Sequence, residues 1–380
     1  MFKNIFATVR AAPRDSFGHK ILGAAITVSL GPSLVTLLFF GKELVVASWF
    51  GTDDAIEAFL IAFLIPTFVS IVARHSTDLA LVPTFIRVRE REGPAAAQRL
   101  FSQVLTIVLV LLVALAAVLA LAAPWLLSVM ASGFASAKLA LTRSLFYLML
   151  PTAVMGGVSA FWATILAARE RFAPASLSPG MWPVGAVVGL WLFGARYGIF
   201  ALAGGTFIGF LLEMIVLGAV LKTEGMHLMP QWQGVDPNVR EVGRHYAPIG
   251  AAVVAAASIG IIDQAMAATL GPGSVASLNY GGKVVGSLCA LGPMALGTAV
   301  TPYFSLYSAQ GNRRGMARTF RTGVILSVLV TVPLALGIFV FSDPLIRLLF
   351  QRGAFTAQDT PLVAYIQALL AMQIPFVTLG

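Results

Sequence analysis

Residues Val104 to Ala123 form a twenty-residue stretch without one ionisable side chain. About 20 apolar residues in an α-helix cross the hydrocarbon of a bilayer. Inside lipid, only a helix or a closed barrel satisfies the backbone N–H and C=O groups. The strict alternation of a barrel strand is absent here, so this stretch has to be a membrane-spanning helix. Nine further stretches are mainly apolar over a similar length, and together they predict ten spans near 22–49, 55–84, 101–130, 141–168, 173–195, 198–221, 246–270, 275–308, 320–342 and 361–380. Several are longer than a bilayer requires and contain Gly41, Pro66, Pro151 or Pro293, where kinks or tilts are expected. Composition agrees, with 58% of residues hydrophobic and 11% charged. A soluble domain carries about 25% charged residues, so two or three such domains could not be covered with polar surface here. Disordered chains, disulfide scaffolds and ordinary cytosolic enzymes are excluded. The single cysteine, Cys289, allows no internal disulfide.

The net charge of +9 is explained by topology. With the N-terminus in the cytoplasm and spans alternating, the inside segments are 1–20, 85–100, 169–172, 222–245 and 309–321. They hold seventeen Lys or Arg. The outside segments hold Lys138, Arg143, Arg196, Arg347 and Arg352. This is the bias expected of a multi-pass protein with its N-terminus inside, and it leaves no excess for a nucleic-acid partner. Residues 1–20 read as a cytoplasmic basic arm rather than a cleaved signal peptide.

The chain also repeats itself. Phe50-Gly51 is echoed by Leu270-Gly271, and Val82-Pro83-Thr84-Phe85 by Thr301-Pro302-Tyr303-Phe304. Arg99-Leu100-Phe101 is echoed by Arg318-Thr319-Phe320, and Pro124 through Gly133-Phe134 by Pro344 through Gly353-Ala354-Phe355. The offsets are all 219 or 220 residues. Six spans separate the copies, so the repeat is parallel, an arrangement typical of transporters with a site between their halves. The expected architecture is an all-α polytopic membrane protein of two parallel-repeat lobes around a central cavity. Residues 21–222 form the N-terminal lobe (spans one to six), 223–245 an inter-lobe linker, and 246–380 an incomplete C-terminal lobe (spans seven to ten). Residue 380 corresponds to residue 160, within the fourth span. The expectation is a truncated form, or a shortened relative, of a protein with at least twelve spans.

Phe50-Gly51, Glu57-Ala58-Phe59, Ile65-Pro66 and Leu81-Val82-Pro83 resemble the opening of the MurJ/MviN family. So do Ile262-Asp263-Gln264, Leu270 through Val275, Ala295-Leu296-Gly297-Thr298-Ala299 and Leu348 through Thr356. The similarity runs from about residue 30 to the end of the sequence. It implies a place in the superfamily of multidrug, oligosaccharidyl-lipid and polysaccharide exporters, and a secondary flippase moving a polyprenyl-diphosphate-linked saccharide by alternating access. Lipid II is the best-known cargo. The implied setting is the bacterial inner membrane, with enzymes of cell-envelope biosynthesis as partners. The family's cavity arginines fall at Thr36, Lys42 and Lys283, and an arginine pair expected near Val69 to Ile71 is missing, with Arg74 close by. Lysine is a point charge where arginine offers a bidentate fork, so an exopolysaccharide or O-antigen-type flippase is an alternative reading. A cation-coupled drug exporter and a non-transporting regulatory pseudo-transporter are others.

Ionisable groups inside spans are costly and face polar interiors. Lys42, Lys283 and Arg74 form the expected substrate-binding cation set, with ion pairing or snorkelling as the structural alternatives. Glu43 and Asp263 are equivalent in the repeat and suggest charge balance or a coupling-ion site, Asp263 as a candidate Na⁺ ligand. A salt bridge from Glu43 to the other lobe is the alternative. Glu57 is expected at the outer surface, as a helix cap with Asp53 and Asp54, or as a gate. Asp78 is noted within a span and Glu213 receives no role. Gly205/Gly209 and Gly282/Gly286 have small-residue packing spacing. His19, His75, His227 and His245 make no zinc pattern, and neither a P-loop nor a nucleophile elbow occurs. No cofactor and no enzyme chemistry are expected. The energy source would be Na⁺, H⁺ or the membrane potential.

Overall fold

The computed structural model describes residues 16–232, 234, 236–289, 307, 310 and 312–379, with side chains for those between 31 and 378. The helices in chain order are α1 (Ser16–Phe50), α2 (Asp54–Glu92), α3 (Pro94–Met130), α4 (Ser136–Ala168), α5 (Phe172–Leu177), α6 (Met181–Tyr197), α7 (Ile199–Thr223), α8 (Pro237–Ala267), α9 (274–289), α10 (Arg313–Val340), α11 (Ser342–Phe350), α12 (Thr360–Ala371) and α13 (Ile374–Leu379). Among the described residues every regular element is helical, and eight stretches are long and apolar enough to span a bilayer. The chain is a polytopic helical membrane protein.

Most expected spans coincide with these helices. The fifth is divided: α5 and α6 are joined by a 3₁₀ turn at Ser178–Gly180, where Pro179 falls. The tenth is corrected from one span to two short helices, α12 and α13, separated by a turn at Met372 and Gln373. Of the eighth span only its first part, α9, is described. The repeat match at Thr301 to Phe304, the Pro293 break, the Ala295 to Ala299 motif and most of the basic arm lie outside the described residues. The helical assignment is unbroken through Gly41, Pro66 and Pro151. Thr36, Ser70 and Ser128 each donate a side-chain hydrogen bond to the carbonyl of the proline four residues earlier. This back-bonding accompanies the local loss of a backbone N–H.

Packing divides the molecule into two ends. At the end carrying the Phe50–Asp53 turn, one apolar core joins both halves: Val46, Phe59 and Phe146 share it with Val275, Tyr280 and Phe355. Towards the end carrying the basic loops the core separates. One cluster holds the inner ends of α2, α3, α4 and α7 with the start of α8. A smaller one holds α9, α10, α12 and α13. The two halves are therefore fused at one end and packed on separate cores at the other.

The small-residue spacing on α7 serves packing within the chain. Gly205 and Gly209 lie against Gly185, Gly189 and Trp182 of α6 so closely that a Cβ at either glycine would meet backbone.

Candidate functional site

α1 places Lys42 and Glu43 two turns before the Phe50–Asp53 turn, and α9 places Asn279 and Lys283 four residues apart on one face. They meet between the halves. Glu43 Oε1 accepts Lys42 Nζ at 2.8 Å and Lys283 Nζ at 3.0 Å. Its Oε2 accepts Asn279 Nδ2 at 3.4 Å. Lys42 and Glu43 are buried, whereas the Lys283 side chain is 36% exposed. Lys42 also stands 5.7 Å from the centroid of the Trp182 ring. The salt bridge considered for Glu43 exists and reaches across the repeat. Lys42 pairs with the next residue of its own helix rather than with a neighbouring helix.

Immediately outside this cluster the halves close on each other. Tyr280 Oη donates to the Gly51 carbonyl at 3.0 Å, and the Ala354 N–H donates to the Ser48 carbonyl at 2.8 Å. Thr52 Oγ1 donates to Asp359. Gly51 and Gly353 both have positive φ, and a Cβ on either would collide with backbone of the opposite half.

Glu57 corrects the expectation of a surface cap. It is fully buried. Its carboxylate accepts the N–H groups of Gly273 at 2.9 Å, Val275 at 2.6 Å and Ala276 at 3.2 Å. It therefore caps α9, in the other half of the molecule, where orphan N–H groups and the helix dipole favour an anion. Lys138 of α4, also buried, pairs with Glu57 and reaches Asp54 at 2.6 Å. The cap of α2 is Asp53, which accepts the Ala55 and Ile56 N–H groups, both at 3.0 Å. Burial holds the Asp53 carboxyl above its ordinary range.

The remaining candidates lie apart from the cluster. Arg74 Nη2 approaches Glu213 Oε1 at 3.7 Å, and Glu213 also accepts Ser178 Oγ at 3.4 Å. Glu213, given no role above, thus partners Arg74 within the N-terminal lobe. Asp78 accepts from Thr164, and Thr36 is occupied by its own helix backbone. Asp263 is exposed on α8 and has no hydrogen-bond or ion-pair partner among the described residues. The neighbouring Gln264 Oε1 is buried and unpartnered. Among the described residues no group of three His, Cys, Asp or Glu could hold a metal ion. Sequence reasoning missed Asn279, Trp182 and Lys138. Asn279 had a usable signal, standing one turn before Lys283. Lys138 did not, because it reads as an ordinary loop charge.

A model of the lipid II flippase MurJ family matches residues 46–380. A probable lipid II flippase MurJ of Rhizobium meliloti is 25% identical over 91% of this chain, and a lipid II flippase MurJ of Burkholderia cenocepacia 27% identical over 90%. The chain spans 66% and 68% of the length of these relatives. Among solved structures, a lipid II flippase MurJ in an inward closed conformation is similar with a TM-score of 0.78 at 18% identity, over 93% of this chain and 74% of that one. An inward-facing multidrug resistance transporter of the MATE family has a TM-score of 0.67 at 12% identity, over 94% and 84%. These structural likenesses establish the fold, and the family match over residues 46–380 establishes that the chain belongs to the MurJ lipid II flippase family.

Proposed function

We propose that this protein is a secondary flippase that carries a polyprenyl-diphosphate-linked saccharide, lipid II first among them, across the bacterial inner membrane by alternating access. Family membership supplies the class of cargo. The observation that carries the reading is the pair of lysines, one from each half, held on the single carboxylate of Glu43. The pair lies beside the common core that joins the two halves.

A diphosphate entering between the halves offers these lysines a second anion. It competes with Glu43 for Lys283, the more exposed of the two, and its charge replaces water contacts that it loses inside the membrane. Releasing Lys283 from Glu43 removes a tie between α1 and α9. Binding of cargo is in this way linked to separation at the outer end, where Glu57 on the α9 N-terminus and the Ser48–Ala354 contact hold the closed arrangement. The lobes divide at the linker 223–245. Asp263 is the proposed coupling carboxylate. An ionised group on a span cannot face lipid at low cost, so its exposed side faces water, where Na⁺, H⁺ or the membrane potential acts on it. The bias of basic residues supports a cytoplasmic N-terminus.

The test is rescue of a strain depleted of its lipid II flippase by the complete gene, with Lys283→Ala beside it. Rescue is expected from the parent. The variant is expected to accumulate to the same level and to lose export. Unchanged export by the variant removes Lys283 from the site. Failure of a correctly inserted parent shifts the cargo to another lipid-linked glycan.

A further inference from the structure

A polar recess lies within the N-terminal half, where three basic-side segments converge: the end of α2 with the start of α3, the α4–α5 turn, and the end of α7. Its volume is about 400 Å³, and its wall carries Arg89, Arg169, Arg171, Glu170 and Glu224 over a floor that includes Phe85 and Met226. No part of the proposed transport cluster contributes to it.

The arginines are gathered by the backbone. Arg89 Nη1 donates to the Ala168 carbonyl at 3.2 Å, and Arg169 Nη2 to the Glu224 carbonyl at 2.9 Å. Arg171 Nε pairs with Glu224 Oε1 at 2.8 Å. Between the last two arginines, Glu170 has φ of 63° and is the one non-glycine residue with positive φ among the described residues. The Arg171 N–H returns to the Leu166 carbonyl at 2.8 Å, closing the helix end in the way a glycine usually does. The chain accepts a left-handed residue here, and the turn sets both flanking arginines beside Glu224.

Charge and donors are left over. Three guanidinium groups face two carboxylates on the wall. The further carboxylate that touches an arginine, Glu90 on Arg89, is 65% exposed and so weakly felt through water. Both Nη groups of Arg171, with Nε and Nη1 of Arg169, make no hydrogen bond among the described residues. The surplus of one positive charge suits a singly charged phosphodiester better than a diphosphate. Depth agrees. The 25 residues of α7 run about 37 Å from the outer side. That exceeds the roughly 30 Å of hydrocarbon and ends at headgroup level. Arginine forks match phosphate oxygens, and basic recesses on this side of membrane proteins receive lipid headgroups.

We propose that the Arg89–Arg169–Arg171 recess binds the phosphodiester headgroup of an anionic phospholipid in the leaflet on the basic-loop side. This site is separate from the transport reading and stands if that reading fails.

The experiment is native mass spectrometry of the purified chain in detergent. The probes are phosphatidylglycerol, phosphatidylcholine with the same acyl chains, inorganic phosphate and undecaprenyl diphosphate. Phosphatidylglycerol is expected to bind about tenfold more tightly than phosphatidylcholine, the size of one charge-assisted contact. R89Q/R171Q is expected to abolish that preference. Glu170→Gln keeps every arginine, removes an opposing carboxylate and should strengthen phosphatidylglycerol binding, so the proposal remains testable if the double variant does not fold. Equal binding of the two phospholipids by the parent, or a preference unchanged in a monodisperse R89Q/R171Q or Glu170→Gln protein, overturns it. Tighter, arginine-dependent binding of undecaprenyl diphosphate would assign the recess to cargo instead. Equal occupancy by inorganic phosphate would remove the lipid from the proposal.

Discussion

Glu43 and Asp263 stand 220 residues apart at corresponding points of the repeat, yet the structure treats them oppositely. Glu43 is 2% exposed and accepts from two lysines and an asparagine. Asp263 is exposed on a helix that is largely uncovered, and it has no partner among the described residues. An internal repeat preserves the position of a charge along a span. It does not preserve what covers that charge, because α1 lies against α9 and α6 while α8 leaves the face at Asp263 uncovered. One carboxylate therefore joins the two halves, and the other stands exposed without a partner among the described residues.

The largest break in this comparison comes from Glu43→Ala. It leaves two lysines facing each other without their anion, and an uncompensated buried charge of this kind costs about 3–5 kcal/mol. Loss of monodisperse protein after extraction, read by fluorescence-detected size exclusion, is the expected outcome. A variant as stable as the parent would show that the cluster is hydrated rather than a joint. Gly353→Ala comes next. Its φ is +60°, and the added methyl would collide with the Ser48 carbonyl. The left-handed penalty alone is about 1–2 kcal/mol, so a loss of at least about 2 kcal/mol is expected in thermal unfolding.

Lys283→Met should cost less, about 1 kcal/mol, because Glu43 keeps Lys42 and the lost side chain is partly solvated. The pair Lys283→Met and Glu43→Gln, measured singly and together, gives their coupling energy directly. The smallest effect belongs to Asp263→Asn. An exposed residue without partners changes stability by less than about 0.5 kcal/mol. Vesicle transport by this variant should lose its dependence on the imposed ion gradient or potential. A stability loss comparable to that of Glu43→Ala would show that the two repeat positions are equivalent after all.

Much of this molecule is legible in its amino-acid order. Most of the expected spans fall on described helices, with the eighth described only in its first part and the tenth broken in two. The turns at Phe50-Gly51 and Leu270-Gly271 and the membership of a flippase family were open to reading as well. Harder to see was which charges touch. Glu57 looks like a first-turn acid of its own helix and instead caps α9, because the fold carries Gly273, Val275 and Ala276 to it from more than two hundred residues away. Glu213 and Arg74 are ordinary intramembrane charges until α7 and α2 are set side by side. The tenth span breaks at Met372 and Gln373, and Pro375 in the first turn of α13 was the local signal for that break.

What the sequence determined by itself is everything that depends on the solvent of each segment. Lipid demands runs of apolar residues folded as helices, and the basic loops record a side of the membrane. Both demands act on each stretch of chain separately. The tertiary structure alone decided which buried charges share a partner, which end of the two halves is fused, and that Glu43 is covered while Asp263 is not. Those outcomes depend on helices that meet across the repeat, and the cost of leaving a charge unpaired inside is set by neighbours that no local pattern encodes.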